Sequence, residues 1–310
     1  MVAILMSTYN GQEYLKEQID SILSQTYGEF VLYIRDDGSK DGTKEIIKSY
    51  NDSRIIFYEG QNLGPAKSFF DLIGKAAKAD YLFFSDQDDV WYPEKLEKML
   101  GEIKAYDEKP TMLFSDFSMI DSFGKVTEPS YSSYASLQVE KGEVEIKRIL
   151  AQPYVFGCAS VINRRLADLV LSPPEGIEMH DCWISLVAAA VGNLIYLPYQ
   201  TIAHRFHSSN ATGKSGQDSF TSRLSRVTKG LKAQAQNTKL RLRQAQLLLE
   251  GFSGKIKPES KEMLENLVAA MKKGKIATIG ALKRYDISRQ KKLNTLFFYM
   301  TVLAIKGEIL

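Results

Sequence analysis

Cysteine and long apolar runs are scarce in this 310-residue chain, and each scarcity excludes a class of protein. The two cysteines, Cys158 and Cys182, are too few for a disulfide framework and lack zinc-site spacing, which favours a reducing compartment. The longest apolar stretch, 293–305, falls short of the ~20 residues that a membrane-spanning helix needs. The apolar N-terminus is short and lacks a basic flank, so it predicts a first strand and not a signal peptide. We expect a cytoplasmic protein without a spanning segment.

Acidic and basic residues are distributed unevenly along the chain. Residues 1–220 contain 21 Lys or Arg against 31 Asp or Glu, whereas residues 221–310 contain 19 against 6. The two parts therefore carry formal charges of −10 and +13. A Gly- and Ser-rich stretch, 213–222, lies at this change and is typical of a linker or mobile loop. We predict one domain over 1–215 and a basic helical C-terminal region over 216–310.

Short apolar runs alternate with segments of helical periodicity over the first 110 residues or so. The runs are 2–5, 30–34, 55–58 and 81–84, and the helical segments are 12–25, 43–50, 66–77 and 93–106. This alternation is the signature of repeated βα units. It predicts an α/β fold with a mostly parallel sheet flanked by helices.

Acidic residues directly follow two of the predicted strands. Asp36 and Asp37 follow FVLYIR, and Asp86, Asp88 and Asp89 follow YLFFS. Ligands of open α/β sheets bind outside the carboxyl ends of the strands, so these carboxylates are expected to face one crevice. Two aspartates at this spacing can present hard oxygen ligands to Mg²⁺ or Mn²⁺. The alternative is a solvated turn that caps the next helix.

Four segments in this order resemble the inverting glycosyltransferases of family 2, which have the Rossmann-like GT-A fold. The segments are STYN, IRDDGSKDGT, NLGPAKSF and SDQDDVW, and the likeness covers about the first 210 residues. The resemblance implies metal-dependent transfer of a sugar from a nucleotide-sugar donor, with Mg²⁺ or Mn²⁺ as cofactor. It also implies a nucleotide site formed by Ser7, Tyr9, Asp37, Gly64 and Asp86. For Asp37 and Gly64, a simple turn is the alternative.

Two later segments carry the remaining catalytic expectations of the resemblance. In EMHDCWISLV, Asp181 matches the family's general base, while His180 replaces the acid that usually precedes it. In IAHRFHSSN, His207 matches a histidine that joins Asp86 and Asp88 in the metal site, and it fits that position better than His204. The alternatives are an N-cap role for Asp181 and a structural or phosphate-contacting role for His207.

Acceptor-binding residues are expected at a glycine turn and at a tryptophan. Gly157 and Cys158, in YVFGCASVINRRL, match the turn that precedes the acceptor-side helix in the family. Trp183 is a candidate for stacking on an acceptor sugar. An ordinary core position is its alternative, since large aromatic side chains usually fill interior volume.

The C-terminal region is predicted to contact a membrane. Residues 222–249 contain seven Lys or Arg and no acid, and the apolar stretch 294–305 follows later. Such a composition is typical of amphipathic helices on an anionic membrane surface. The alternative is a helical bundle that makes a homodimer. Nucleic acid is not expected as a partner, because residues 1–220 are acidic and no interleaved aromatic platform or binding motif accompanies the basic charges.

Two sequence segments narrow the resemblance to one group of enzymes within family 2. The DQDDVW form and the HD pair of HDCWISL look most like bacterial rhamnosyltransferases that build rhamnose-rich cell-wall polysaccharide on a lipid carrier. This likeness implies dTDP-L-rhamnose as donor and a lipid-linked saccharide as acceptor, at the inner face of the cytoplasmic membrane. The alternatives are a transferase that uses a UDP-hexose or UDP-N-acetylhexosamine, and a non-catalytic scaffold that binds a nucleotide sugar.

Overall fold

The computed structural model describes residues 1–206 and 223–310, in which ten strands form one mixed sheet. The strands are β1 (Val2–Thr8), β2 (Phe30–Asp36), β3 (Ile55–Glu59), β4 (Tyr81–Ser85), β5 (Val90–Trp91), β6 (Thr111–Ile120), β7 (Val126–Glu128), β8 (Gly142–Glu143), β9 (Ser160–Asn163) and β10 (Asn193–Arg205). Their spatial order is β3-β2-β1-β4-β9-β6-β10-β5, with β7 paired to β6 and β8 to β10. The four predicted strands are confirmed as β1 to β4.

Helices pack on both faces of this sheet. They are α1 (Leu15–Leu23), α2 (Thr43–Lys48), α3 (Pro65–Lys75), α4 (Lys95–Ile103), α5 (Tyr131–Ala135), α6 (Ile146–Ala151), α7 (Arg164–Val170) and α8 (His180–Val191). Alternate residues of β1 enter different apolar clusters, with Leu5 in one and Ile4 and Met6 in the other. Burial on both faces explains why β1 is a continuous apolar run. The α/β prediction is confirmed.

The sheet is more mixed than the βα pattern indicated. Strands β1 to β4 pair in parallel, and so do β6 and β10, but β9 lies antiparallel between β4 and β6. The reason is local, because β9 begins at a 3-10 turn, Gly157–Ala159, beside the carboxyl end of β4. A strand that starts at this edge can only run back across the sheet.

Four further helices complete the described chain: α9 (Arg223–Phe252), α10 (Pro258–Lys273), α11 (Lys275–Arg284) and α12 (Lys292–Ala304). They share an apolar cluster with the α/β part, where the ring centroids of Trp183 and Phe252 lie 6.2 Å apart. Among the described residues, no helix combines the length and apolarity needed to cross a bilayer. The predicted boundary between residues 215 and 216 lies outside the described residues and stays a prediction.

Candidate active site

A cavity of about 430 Å³ opens at the carboxyl ends of β1, β2 and β4, within the size range of small-molecule sites. Nine predicted residues line it: Ser7, Tyr9, Asp37, Gly64, Asp86, Asp88, Gly157, Cys158 and Asp181. The other lining residues are Asn62, Pro65, Phe69, Gln87, Phe156, Met179, His180 and His204. Segments far apart in the sequence are thus brought together in one pocket.

Asp37 anchors the loop that leads into α3. Its Oδ1 pairs with the guanidinium of Arg35 and accepts the N–H of Leu63 at 2.8 Å, while Oδ2 accepts the N–H of Gly64 at 2.9 Å. Gly64 has a φ of 78°, which favours glycine over residues with a Cβ. A carboxylate oxygen that accepts one hydrogen bond can accept another, so Oδ2 remains able to bind a donor group of a ligand.

Gln87 joins the ends of β1 and β4 through a pair of amide hydrogen bonds. Its Oε1 accepts the N–H of Tyr9 at 2.8 Å, and its Nε2 donates to the carbonyl of Tyr9 at 3.2 Å. Glutamine suits this place because its side chain both donates and accepts. In the sequence, only its position between two aspartates marks it, and the motif alone did not reveal this role.

The acidic turn after β4 concentrates negative charge beside the cavity. Burial, together with the carboxylates of Asp89 and Asp88, raises the pKa of Asp86 to about 7. The turn is held in place by Arg205, whose Nε donates to the main-chain carbonyl of Asp88 at 2.8 Å. Carboxylates crowded in this way are stabilised when a cation joins them.

His204 lies beside this turn. Its Nδ1 is 2.7 Å from Oδ1 of Asp89, and although burial acts in the opposite direction, that carboxylate raises the pKa of His204 to about 9. Ligand atoms of Asp86, Asp89, Cys158 and His204 all lie within 4.8 Å of one another. His207, the histidine favoured from the sequence, lies outside the described residues, so its assignment to the metal site stays a prediction.

Lys95 is a buried cation on the apolar face of α4. Its Nζ donates to the carbonyl of Cys158 and lies 3.6 Å from the centroid of the Trp91 ring. Burial lowers the pKa of Lys95 to about 7. It supports the turn that carries Gly157, although the sequence reading did not single it out. The missed signal was a lysine placed four residues after Trp91 and four residues before Met99, both of which are apolar.

Asp181 lies in the first turn of α8, and two main-chain groups hold its carboxylate. The N–H of Gly157 donates to Oδ2 at 3.1 Å, and the N–H of Cys182 donates to Oδ1 at 2.8 Å. The positive end of the helix dipole favours a negative charge at this position. The carboxylate is therefore fixed in orientation while it lines the cavity.

His180 packs as an aromatic ring next to Asp181. Its centroid lies 4.0 Å from that of Phe69, and no described residue is a hydrogen-bond partner of either ring nitrogen. Burial lowers the pKa of His180, which favours the neutral ring. A Cβ at Gly157 would lie 2.7 Å from His180 Nε2, so the glycine makes room for the imidazole.

The acceptor-binding role predicted for Trp183 does not agree with its position. Trp183 is 1% exposed, does not line the cavity, and packs in the apolar cluster under α9. On α8 it is two residues after Asp181, so its side chain leaves the helix on a different face. Trp183 is a core residue that joins α8 to the C-terminal helices.

Two curated relatives share part of this chain. An uncharacterized glycosyltransferase of Rickettsia typhi is 27% identical over 220 residues, which are 68% of this chain and 66% of that protein. The Escherichia coli UDP-Glc:alpha-D-GlcNAc-diphosphoundecaprenol beta-1,3-glucosyltransferase WfgD is 27% identical over 163 residues, 50% of this chain and 64% of that protein. The chain therefore covers slightly less than two thirds of the length of each relative.

Similarity to a solved structure extends over nearly the whole chain. TarS of S. aureus, solved in complex with UDP-GlcNAc, has a TM-score of 0.60 and 18% identity, covering 98% of this chain and 88% of that chain. At this identity the likeness concerns the fold alone, and it confirms the predicted GT-A-like architecture. The profile described as Glycosyl transferase family 2 matches residues 3–166, more than half of the chain. This chain therefore belongs to glycosyl transferase family 2.

Proposed function

We propose that this family 2 glycosyltransferase moves L-rhamnose from dTDP-L-rhamnose to a hydroxyl of a lipid-linked saccharide, with inversion at the anomeric carbon. The supporting observation is the single cavity that joins Asp181, held by two main-chain N–H groups, to the acidic turn of Asp86 and Asp88. Such a cavity can hold both a base for the acceptor and a charge-stabilising site for the leaving diphosphate.

Asp181 is assigned as the general base. Its two oxygens each accept one main-chain hydrogen bond and keep lone pairs for the acceptor hydroxyl. As the proton moves to this carboxylate, the hydroxyl oxygen attacks the anomeric carbon on the face opposite the departing nucleoside diphosphate. One displacement of this kind inverts the configuration. Burial raises the pKa of both Cys158 and Cys182, which makes these thiols poor nucleophiles for a covalent route.

Mg²⁺ or Mn²⁺ is assigned to the acidic turn. Asp86 and Asp88 would hold the ion through oxygen atoms, and the family resemblance adds a nitrogen of His207. The raised pKa of Asp86 supports this assignment, because burial and then the neighbouring carboxylates of Asp89 and Asp88 make an uncompensated negative charge unfavourable at this position. When bound, a divalent ion neutralises charge that develops on a leaving diphosphate.

The nucleotide end of the cavity is assigned to Ser7, Tyr9, Asp37 and Gly64. Asp37 Oδ2 can accept the imino N–H of thymine or of uracil, so this contact suits dTDP and UDP equally. Gly157 and Cys158 are assigned to the acceptor side, next to Asp181. Membership in this pocket supports each assignment, and substitution followed by measurement of donor binding and of the acceptor KM tests them.

A UDP-hexose or UDP-N-acetylhexosamine is the second candidate donor. Two observations favour it, since the printed name of WfgD specifies UDP-Glc and TarS was solved with UDP-GlcNAc. The DQDDVW and HDCWISL segments favour rhamnose. The WfgD name also specifies an acceptor on diphosphoundecaprenol, which supports a lipid-linked acceptor for this chain.

A donor panel tests the proposal directly. Purified protein is incubated with a synthetic lipid-linked saccharide and dTDP-L-rhamnose, UDP-Glc or UDP-GlcNAc, with and without EDTA. We expect rhamnose transfer that EDTA abolishes and added Mn²⁺ restores. Transfer from a UDP-sugar alone would replace rhamnose with the second candidate. Donor binding by calorimetry without transfer from any donor would instead support the non-catalytic scaffold.

We place the enzyme at the inner face of the cytoplasmic membrane, where a lipid-linked acceptor and a nucleotide sugar can meet. The formal charge of +13 over residues 221–310 supports this location, because anionic lipid headgroups attract basic segments. A homodimer formed through the same helices is the alternative use of this region. Molar mass by light scattering, measured with and without detergent, distinguishes the two.

A further inference from the structure

Helix α12 presents a stripe of exposed apolar side chains along one face. The stripe consists of five residues at intervals of three and four, each 37% to 76% exposed: Leu293, Leu296, Phe297, Met300 and Leu303. These five residues are called the apolar ridge. The opposite face of α12 is buried through Phe298, Thr301 and Val302, so the ridge points away from the protein core.

The ridge is a cluster and not a scatter of surface residues. Of the fourteen exposed large hydrophobic side chains among the residues whose side chains the structure describes, six fall between positions 276 and 303. The sixth, Ile276, is 84% exposed and follows Lys275, whose Nζ donates to the carbonyl of Leu303 at 3.3 Å. Contiguous exposed apolar surface of this kind marks a contact site, whereas single exposed residues are ordinary.

Lysines lie near the ridge, and α12 itself contains no acidic residue. Residues 287–307 contain no Asp or Glu. Lys292 directly precedes Leu293, and Lys283 of α11 reaches α12, with its Nζ 5.7 Å from the ring centroid of Tyr299. An occupant of this surface must therefore accept apolar side chains and positive charge together.

We propose that the apolar ridge docks on a membrane that contains anionic lipid, with α12 lying along the surface. A helix of 13 residues is about 20 Å long, too short to cross the ~30 Å hydrocarbon core. Acyl chains accept the ridge and anionic headgroups accept the lysines. A second copy of this chain fits less well, because a two-fold contact through the ridge would bring the same lysines together.

The buried face of α12, opposite the ridge, packs against the part of α9 that contacts the segment leading into α8. Thr301 of α12 hydrogen-bonds Thr238 of α9 at 2.8 Å, and one turn later Arg241 pairs with Glu178 at 2.7 Å. Glu178 is three residues before the proposed base, Asp181. Docking at the ridge holds the acceptor side of the cavity near lipid. This purpose rests on the proposed function, in which the acceptor is lipid-linked.

Paired substitutions test the apolar part of the proposal. The full-length double variant Leu296→Ser with Met300→Ser is sedimented with vesicles of phosphatidylcholine and phosphatidylglycerol. We expect at least tenfold weaker partition than for the unsubstituted protein, since apolar burial contributes about 25 cal/mol per Å². Leu171→Ser is the matched control, because Leu171 is 44% exposed but lies at the end of α7. Its partition should not change.

Charge substitutions test the electrostatic part. Lys283→Gln and Lys292→Gln should each weaken partition about fivefold on phosphatidylglycerol vesicles. On pure phosphatidylcholine they should change nothing, and added salt should weaken binding of the unsubstituted protein. Equal binding to both kinds of vesicle would overturn the role of anionic lipid.

Two further readouts separate docking from its alternatives and from catalysis. Vesicle binding of the double variant Leu296→Ser with Met300→Ser, here called the ridge variant, that equals binding of the unsubstituted protein would overturn the proposal. If light scattering of that variant also shows that a dimer has become a monomer, the ridge is a subunit contact instead. Transfer to a water-soluble acceptor analogue should be the same for the ridge variant and the unsubstituted protein. Protein that binds vesicles but transfers no sugar would refute the proposed function and leave the docking surface standing.

Discussion

The cavity and the outer face of α12 differ in which groups they bury: charged groups are buried around the cavity, whereas apolar groups are exposed on α12. Around the cavity, charged groups such as Asp89, Lys95 and His204 are buried and engaged with one another or with main-chain atoms. On α12, apolar side chains are exposed, and so is Lys292 at the start of the helix. Buried charge and exposed apolar surface are both unfavourable for stability alone. The contrast indicates that the first region is built for chemistry and the second for contact with a partner.

The largest expected effect is a loss of kcat caused by a substitution in the cavity, with no effect on α12. Asp181→Asn keeps the side-chain size but cannot take the proton, so kcat should fall about 10²- to 10⁴-fold. Donor affinity in calorimetry and vesicle binding should persist. Asp168→Asn is the control, since Asp168 pairs with Arg164 at 2.9 Å away from the cavity. A kcat of Asp181→Asn near that of the control would remove the assignment of the base.

The next effect tests how closely the base is positioned. In Gly157→Ala the new Cβ would lie 2.7 Å from His180 Nε2, so the imidazole or the turn must shift, and Asp181 with them. We expect kcat to fall about 10- to 100-fold with little change in donor affinity. Steady-state kinetics and calorimetry measure both. If kcat is unaffected, the contact between Gly157 and Asp181 does not position the base.

A smaller effect concerns the pH dependence of stability in the cavity. His204 has an ordinary pKa of 6.5 and a folded pKa of about 9, so its pairing with Asp89 stabilises the fold fully below about pH 6.5. That stabilisation is lost as the pH rises through about 9. Compared with His204→Gln in urea unfolding, the free-energy advantage of the unsubstituted protein should shrink by about 1–3 kcal/mol over this interval. An advantage independent of pH would show that the pair is not ionic.

The smallest effect concerns the connection between the two regions. Arg241 of α9 pairs with Glu178 at 2.7 Å, with both side chains largely buried. Glu178→Gln removes one charge of a largely buried pair and leaves the Arg241 guanidinium charged, so the free energy of unfolding should fall by roughly 1–2 kcal/mol. Transfer to a soluble acceptor should change less than twofold. A large loss of kcat would show instead that α9 sets the geometry of the cavity.

The sequence predicted the cavity well because its signals are local. Asp37 and Asp86 stand directly after strands, and the carboxyl ends of parallel strands meet at one edge whatever the details of packing. For the same reason β1 to β4 could be located from apolar runs and periodicity. The position of a motif at the carboxyl end of a strand can therefore be predicted from the sequence with few assumptions.

The features that the sequence did not predict depend on tertiary packing, which the spacing of residues in the sequence does not reveal. Trp183 is aromatic and near Asp181 in the sequence, but only the position of α9 shows that it is buried. In the sequence, Lys95 looks like an ordinary surface lysine, and only the packing of α4 shows that its side chain lies against Trp91. Strand β9 runs antiparallel because of a turn beside β4, and the direction of the ridge on α12 depends on which face meets α9.

The stereochemistry of the product tests the central claim most directly, because a single carboxylate base in this cavity permits one displacement at the anomeric carbon. The anomeric configuration of the sugar transferred from the preferred donor is determined by NMR of the purified product. We expect the configuration opposite to that of the donor, and retention of the donor's configuration would rule out a single displacement by the acceptor hydroxyl.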